Sequence, residues 1–121
     1  MSRSTNEKYS PLAKDYLDNF HSNVVQEVQK TVSEQDVVVI GMFLNPYVLA
    51  VRFVLHQENI PFTYLQYGGY LTKWKPRLAI KMWSGWPTFP QVFVKGTLVG
   101  GFIKTRQSLN DGSLQKLLSE D

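Results

Sequence analysis

The segment at residues 86–90 constrains the fold of this 121-residue chain more than any other part of it. It reads Trp-Pro-Thr-Phe-Pro, and it cannot lie inside a helix because each proline lacks the N–H that a helix interior uses. The apolar run at residues 91–94 that follows predicts a buried strand, and Lys95-Gly96 predicts a two-residue turn into a second strand at residues 97–99. Gly100-Gly101 then ends the pattern. The sequence therefore predicts an antiparallel hairpin directly after a rigid loop.

Helical and strand patterns alternate upstream of this hairpin. The β-branched run at residues 36–40 predicts a strand buried on both faces. Asn45-Pro46 predicts the start of a helix that reaches about residue 58, because asparagine is a favoured N-cap and proline a favoured first helical residue. One helical face is predicted nearer the N-terminus, since apolar residues recur there every four positions. These residues are Leu12, Tyr16, Phe20, Val24, Val28 and Val32.

The remaining patterns complete an α-β-α-β-α-β-β-α order of elements. Residues 62–65 predict a second strand, and residues 67–70 predict a turn. Residues 72–83 predict a helix whose start could be delayed to Pro76. Residues 104–118 predict a last helix. The first strand–helix–strand unit should be parallel and the last two strands antiparallel. We expect an α/β fold, a three-layer sandwich with a four-stranded mixed sheet that resembles thioredoxin-like proteins. Residues 1–15 are assigned to a polar N-terminal extension and residues 16–121 to the domain.

The chain contains no cysteine. This excludes disulfides, thiolate metal sites, iron–sulfur ligation by the chain itself and every mechanism with a cysteine nucleophile.

No apolar run approaches the roughly 18 residues that a membrane-spanning helix needs, and the N-terminus lacks the apolar stretch of a secretory signal. We therefore expect a cytoplasmic protein with no membrane partner.

Positive charge is concentrated in the second half of the chain. Residues 61–121 hold eight Lys or Arg against three Asp or Glu, and no acidic residue occurs between Asn59 and Asn110. Such a one-signed stretch creates a positive field that attracts anions. It is typical of a basic surface, of a groove for an anionic ligand, or of a site for nucleic acid or an acidic protein.

Residues 86–101 resemble the corresponding segment of monothiol glutaredoxins, which reads WPT(I/F)PQ, a strand, a turn and then two glycines. Residues 77–81 and 83–85 resemble the family's lead-in to that segment. The tetrapeptide Asn45-Pro-Tyr-Val48 falls where glutaredoxins carry their active-site sequence, CGFS in the monothiol class and CPYC in the dithiol class. Asn45 and Val48 therefore replace both cysteines of the dithiol form. By resemblance the chain is a glutaredoxin that has lost its thiol.

The resemblance also implies a ligand-binding groove, with no catalytic residue and no metal site. In the family a thiolate at the start of this helix attacks glutathione disulfides, or ligates an iron–sulfur cluster together with glutathione. Asn45 can do neither, and its side chain is expected to cap the helix instead. The expected ligand-binding residues are Asn45, Tyr47, Arg77, Thr88, Phe89, Pro90, Gly100 and Gly101.

These residues have distinct roles by resemblance. Pro90 belongs to a cis-proline loop in which the backbone of Phe89 pairs with glutathione as an added strand. Arg77 contacts the glycine carboxylate of the tripeptide, and Gly100-Gly101 form the turn beside its γ-glutamyl end.

Two positions depart from the family pattern. Met42 stands where the family has a lysine, and Phe102-Ile103 replace the Cys/Ser-Asp pair that holds the γ-glutamyl group. Each lost hydrogen bond to a charged group is worth about 1.5–3 kcal/mol, so glutathione affinity should fall by about two to four decades.

The sequence thus predicts a degenerate glutaredoxin-like binding module for a glutathione-like peptide or a protein partner, connected with redox or iron–sulfur homeostasis. Glutathione is its possible ligand, and no other cofactor is expected. One alternative is a non-thiol glutathione-dependent enzyme, such as a weak transferase in which Tyr47 activates the glutathione thiol. The other is a basic nucleic-acid-binding domain, in which Trp74, Trp83 and Trp86 lie among the basic residues. This last alternative is the least favoured, because the family pattern already accounts for Trp86.

Overall fold

The computed structural model describes residues 8–120 of the chain. Its elements, in chain order, are α1 (Pro11–Asn19), α2 (Ser22–Glu34), β1 (Val37–Gly41), α3 (Pro46–Gln57), β2 (Thr63–Gln66), α4 (Trp74–Ser84), β3 (Gln91–Val94), β4 (Thr97–Gly100), α5 (Phe102–Asp111) and α6 (Ser113–Ser119). The four strands form one sheet in the order β2-β1-β3-β4. Strand β1 pairs parallel with β2 and antiparallel with β3, and β3 pairs antiparallel with β4. The predicted mixed sheet is confirmed.

Helices cover both faces of this sheet. Alternate side chains of β1 point to opposite sides, so Val38 and Ile40 pack in one cluster with α2 and α4, while Val37 and Val39 pack in a second cluster with α3, α5 and α6. The central strands are buried throughout, which explains their continuous apolar sequence. The predicted three-layer sandwich is therefore confirmed.

The predicted first helix is interrupted. It breaks into α1 and α2 at Phe20 and His21, where His21 has a left-handed backbone with a φ of 47°. Leu12 and Tyr16 are exposed, and α1 has no buried residue, so the apolar repeat faces the core only after the break. The four-residue repeat continues through the break, which explains why the sequence predicts one helix.

The predicted last helix is also interrupted, by Gly112. This glycine ends α5 and begins α6 with a φ of 82°, a left-handed conformation that glycine adopts without the clash of a Cβ. The helix begins at Phe102 rather than at residue 104.

Pro76 lies inside α4 but does not begin it. The helix starts at Trp74, so Pro76 is its third residue. The first backbone N–H groups of a helix have no intrahelical acceptor, and a proline in the first turn therefore breaks no hydrogen bond.

The proposed boundary between residues 15 and 16 falls inside α1, and residues 1–7 of the predicted extension lie outside the described residues. The division into extension and domain stays a prediction. Within residues 8–120, no helix combines the length and the apolar character needed to cross a membrane.

Candidate functional site

The candidate site is an open cavity of about 690 Å³ where four connections meet, those between β1 and α3, β2 and α4, α4 and β3, and β4 and α5. Seven of the eight residues expected to bind a ligand line it, and these are Asn45, Tyr47, Arg77, Thr88, Phe89, Pro90 and Gly101. The structure thus brings together residues that are up to 56 positions apart, from Asn45 to Gly101. Whether they bind a ligand stays a prediction.

Gly100 does not line the cavity but lies against Trp86 and Lys104, which do. Its φ is 125°, and a Cβ built there would lie 2.9 Å from Cβ of Lys104 and 3.2 Å from the Trp86 ring. A side chain at this position would push both neighbours away. Gly100 therefore allows the turn after β4 to pack closely on Trp86.

Asn45 caps helix α3, as its sequence position predicts. Its Oδ1 accepts hydrogen bonds from the backbone N–H of Tyr47 at 2.9 Å and of Val48 at 3.1 Å. Its carbonyl accepts the N–H of Leu49 at 3.1 Å, and Pro46 has no N–H to satisfy. The donors at the start of this helix are therefore already paired within the protein.

Tyr47 projects from the first turn of α3 and is 58% exposed. Its ring centroid lies 6.4 Å from that of Phe102, the first residue of α5. The two rings form an aromatic wall between the starts of two helices.

Arg77 is an internal support as well as a lining residue. Only 7% of it is exposed, and its Nη1 donates to the carbonyl of Tyr67 at 2.9 Å and of Thr72 at 2.6 Å. A buried carbonyl that loses its donor costs about 1–3 kcal/mol. The side chain therefore holds the loop between β2 and α4 in place, and its expected contact with a ligand carboxylate stays a prediction.

The loop before β3 lines the cavity with Thr88, Phe89 and Pro90. The peptide bond between Phe89 and Pro90 is cis, as the resemblance implies. The side chain of Gln91 is fully buried, and its Nε2 donates to the carbonyl of Trp86 at 3.1 Å, which anchors the loop. No hydrogen bond within residues 8–120 uses the backbone N–H of Phe89. This N–H is thus unpaired within the described part of the protein.

The cavity also contains cations that the expected site did not include. Lys81 and Lys104 line it, and Nζ of Lys81 lies 5.6 Å from the ring centroid of Phe89. Nε1 of Trp86 is buried and has no hydrogen-bond partner among the described residues. None of the described lining residues is acidic. The acid-free sequence stretch could have indicated the two lysines, whereas Tyr70, which also lines the cavity, carries no such signal.

Comparison with known proteins identifies the family. No protein-family model matches the chain. Over 100 residues, however, it is 47% identical to a glutaredoxin-like protein of Dictyostelium discoideum, an alignment that covers 83% of this chain and 81% of the relative. The chain belongs to the glutaredoxin-like family. The absence of cysteine from its sequence is consistent with a degenerate active site.

Other relatives of this glutaredoxin-like chain are more distant. It is 31% identical over 94 residues to a glutaredoxin of Vernicia fordii, covering 78% of this chain and 90% of that protein. It is 39% identical over 67 residues to monothiol glutaredoxin-S11 of rice, covering 55% of this chain. The match spans only 13% of the much longer rice protein.

Solved structures support the fold of this glutaredoxin-like chain. The crystal structure of oxidised glutaredoxin 2 from Chlamydomonas reinhardtii superposes with a TM-score of 0.70 at 26% identity, covering 80% of this chain and 92% of that one. A buckwheat glutaredoxin–glutathione complex also gives a TM-score of 0.70, at 22% identity, with 81% and 89% covered. The thioredoxin-like fold predicted from the sequence is confirmed.

Proposed function

We propose that this chain is a glutaredoxin-like binding module without thiol chemistry, whose cavity takes a glutathione-like peptide or a segment of a protein partner. We further propose, from the family resemblance, that it serves redox or iron–sulfur homeostasis. The observation that carries the proposal is the geometry of Asn45. Its Oδ1 caps α3 at the position where the family has its active-site cysteine, while the cavity beside it stays open.

The amide side chain of Asn45 is compatible with ligand binding but not with disulfide exchange. Exchange requires a thiolate that attacks a disulfide sulfur, and a neutral amide offers no such nucleophile. Its Oδ1 also uses the N–H groups of Tyr47 and Val48, which would otherwise stabilise an anion at the helix start. A ligand in this cavity is therefore held without a covalent step.

Two features of the cavity suit a peptide-like anion. The unpaired N–H of Phe89 can pair with an extended peptide backbone, as in strand addition. Lys81 and Lys104 supply positive charge. The buckwheat relative of similar fold forms a complex with glutathione, which makes glutathione the first ligand to test.

The affinity for glutathione should be lower than in a glutaredoxin with its full set of polar anchors. Met42 and Ile103 both line the cavity, and neither side chain can form an ion pair or a hydrogen bond with the tripeptide. These are the positions where the sequence departs from the family pattern. The expected loss of two to four decades follows from two missing contacts of about 1.5–3 kcal/mol each.

A tryptophan-fluorescence titration with reduced glutathione tests the proposal, because Trp86 lines the cavity. We expect a saturable signal that Lys81→Gln weakens by about fivefold or more, since the substitution removes a cation from the lining. Lys116→Gln is the matched control, because Lys116 is exposed on α6. No saturation by glutathione, or equal effects of the two substitutions, would contradict glutathione binding in this cavity. Arg77→Ala is unsuitable, because it would also disturb the loop that Arg77 holds.

A gain of affinity gives a second test. Ile103 is 59% exposed and is the second residue of α5, so an aspartate fits there without disturbing the core and favours the helix start. We expect Ile103→Asp to bind glutathione about tenfold more tightly or better, because it restores a charged acceptor for the γ-glutamyl amine. Ile103→Asn is the matched control, since it is polar but uncharged. Unchanged affinity in both variants would show that glutathione does not bind as proposed.

A non-thiol transferase is the second candidate, and the position of Tyr47 favours it. The side chain is more than half exposed and lines the cavity, so its hydroxyl can approach a bound thiol. Conjugation of glutathione to 1-chloro-2,4-dinitrobenzene measures this activity. A turnover that Tyr47→Phe abolishes while glutathione still binds would favour the transferase over the binding module.

A further inference from the structure

Beside the cavity lies a second surface, made of four apolar side chains on the loops that follow β1 and β2. We call it the apolar loop surface, and it consists of Phe43, Leu44, Tyr70 and Leu71. Each of the four is more than half exposed, and Leu71 is 96% exposed. They line a shallow groove of about 460 Å³ that shares Tyr70 with the larger cavity. Contiguous apolar surface of this kind marks interaction sites on soluble proteins.

Hydrogen bonds hold the two loops in a fixed arrangement. The N–H of Phe43 donates to the carbonyl of Gly68 at 2.7 Å, which joins one loop to the other. The N–H of Gly69 donates to Oγ1 of Thr72 at 3.1 Å, and Arg77 binds the carbonyl of Thr72 from inside. The apolar side chains are therefore presented on an ordered backbone. Binding to such a surface loses little conformational entropy in the loops.

The charge around the apolar loop surface is positive. Lys73 and Lys75 lie two and four positions after Leu71 in the chain, and the acid-free stretch from residue 59 to residue 110 includes the whole β2–α4 loop. Glu27 of α2 accepts a hydrogen bond from the hydroxyl of Tyr67, so this carboxylate is already paired. Two copies of this chain joined symmetrically through the surface would bring like-charged lysines together. Complementarity therefore favours an acidic partner over a second copy.

We propose that the apolar loop surface is a docking site for a segment of another protein that combines apolar side chains with Asp or Glu. The apolar side chains of the partner cover Leu71 and Phe43, and its carboxylates face Lys73 and Lys75. Because Tyr70 borders both the surface and the cavity, a segment docked here lies next to the cavity mouth. The proposal does not depend on what the cavity binds.

Selection from a phage-displayed library of random 12-residue peptides tests the proposal on the full chain. Wild type, Leu71→Ser, and the double substitution Lys73→Gln with Lys75→Gln are used in parallel. Leu12→Ser is the matched control, because Leu12 is 84% exposed on α1, outside the surface. We expect the wild type and the control to enrich peptides that carry both apolar and acidic residues. Their affinity should fall about tenfold or more in Leu71→Ser and at least threefold in the double variant.

Three results would overturn the proposal. The first is a failure to enrich any peptide, and the second is enrichment of neutral or basic peptides that Leu71→Ser binds equally well. The third is a concentration-dependent dimer in sedimentation experiments that Leu71→Ser dissolves, which would make a second copy the occupant. Leu71 does not line the cavity, so Leu71→Ser should leave the glutathione titration unchanged. The two proposals can therefore fail separately.

Discussion

At the scale of single residues, the local chemistry of Asn45 could be predicted from the sequence, whereas the role of Arg77 could not. An asparagine followed by a proline indicates a helix start wherever it occurs, because cap and first turn are neighbours in the chain. Arg77 instead binds the carbonyl of Tyr67, ten residues away, after the intervening loop has folded back. No local pattern shows that contact. The sequence therefore predicts an arginine at the cavity, but not the support that the same side chain gives to the loop between β2 and α4.

The helix start can be tested with a cysteine. We expect Asn45→Cys to have a thiol pKa below the ordinary value of about 8.5, because the N–H groups of Tyr47 and Val48 would then stabilise the thiolate. Thiolate absorbance against pH measures it, after subtraction of the wild-type titration, which contains the tyrosines but no cysteine. Ser33→Cys is the control, since Ser33 lies in the last turn of α2, where the helix dipole disfavours an anion. Equal midpoints for the two thiols would contradict the capping geometry.

At the scale of elements, the strands were easier to predict than the ends of the helices. The buried strands β1 and β3 carry short continuous runs of β-branched and apolar residues, a pattern that is typical of strands buried on both faces. The breaks at His21 and Gly112 interrupt patterns that continue on both sides of them. Asp111-Gly112-Ser113 does contain a stop signal, since glycine commonly ends helices, but the break at His21 has none. Only the structure reveals that break, since α2 buries apolar side chains against the core and α1 buries none.

Gly112 gives a test of the break between α5 and α6. Its φ is 82°, and a Cβ there would meet nothing within 4 Å, so a substitution would act through the backbone alone. We expect Gly112→Ala to lower the free energy of unfolding by about 1 kcal/mol, measured by urea denaturation. Gly112→Asn should lower it less, because asparagine tolerates this conformation better. A more stable alanine variant would mean that α5 and α6 join into one helix in solution.

The contact between α2 and the loop after β2 should make the fold sensitive to alkaline pH. Burial raises the pKa of Tyr67, and the hydrogen bond to Glu27 and the charge of Glu27 raise this pKa further. A folded-state pKa above the unfolded value of about 10 adds stability that is present below pH 10 and is lost as the pH rises beyond it. We expect the free energy of unfolding to decline as the pH rises above about 10.

Tyr67→Phe should flatten this alkaline decline and lower stability at pH 7 by about 1 kcal/mol, because it removes the hydroxyl and its hydrogen bond. Glu27→Gln should give an intermediate slope, since it keeps an acceptor but removes the charge. Urea denaturation across the pH range provides the measurement. A wild-type slope in Tyr67→Phe would show that other groups govern the alkaline decline.

At the scale of the whole molecule, the alternation of elements was sufficient to predict the layers, and the motif at residues 86–101 was sufficient to predict one wall of the cavity. The opposite wall depends on how separate loops approach one another. Tyr70 enters the cavity from one such loop, and it does not stand out by residue type or spacing. The apolar loop surface escaped prediction for the same reason, because its two halves are more than 20 positions apart.

The positive field of the second half of the chain allows a test of nucleic acid as an alternative ligand. Glutathione in the cavity would meet few cations, so we expect its affinity to fall less than about tenfold between 50 and 200 mM NaCl. A nucleic-acid surface that used all seven basic residues between Asn59 and Asn110 would lose on the order of a thousandfold. Fluorescence titrations with glutathione and with an oligothymidylate at both salt concentrations distinguish the two. Tight, salt-sensitive oligothymidylate binding without any glutathione signal would replace the proposed function.

The cap on α3 has a consequence for the direction in which a ligand lies. Because Oδ1 and the carbonyl of Asn45 already pair with the N–H groups of Tyr47, Val48 and Leu49, this helix start offers little attraction to a carboxylate. The positive charge of the cavity comes instead from α4 and from the first turn of α5, through Lys81 and Lys104. A bound peptide should therefore turn its charged groups toward these side chains and its neutral middle toward Asn45. The cavity is thus polarised, with its cations at α4 and α5 and a neutral side at the start of α3.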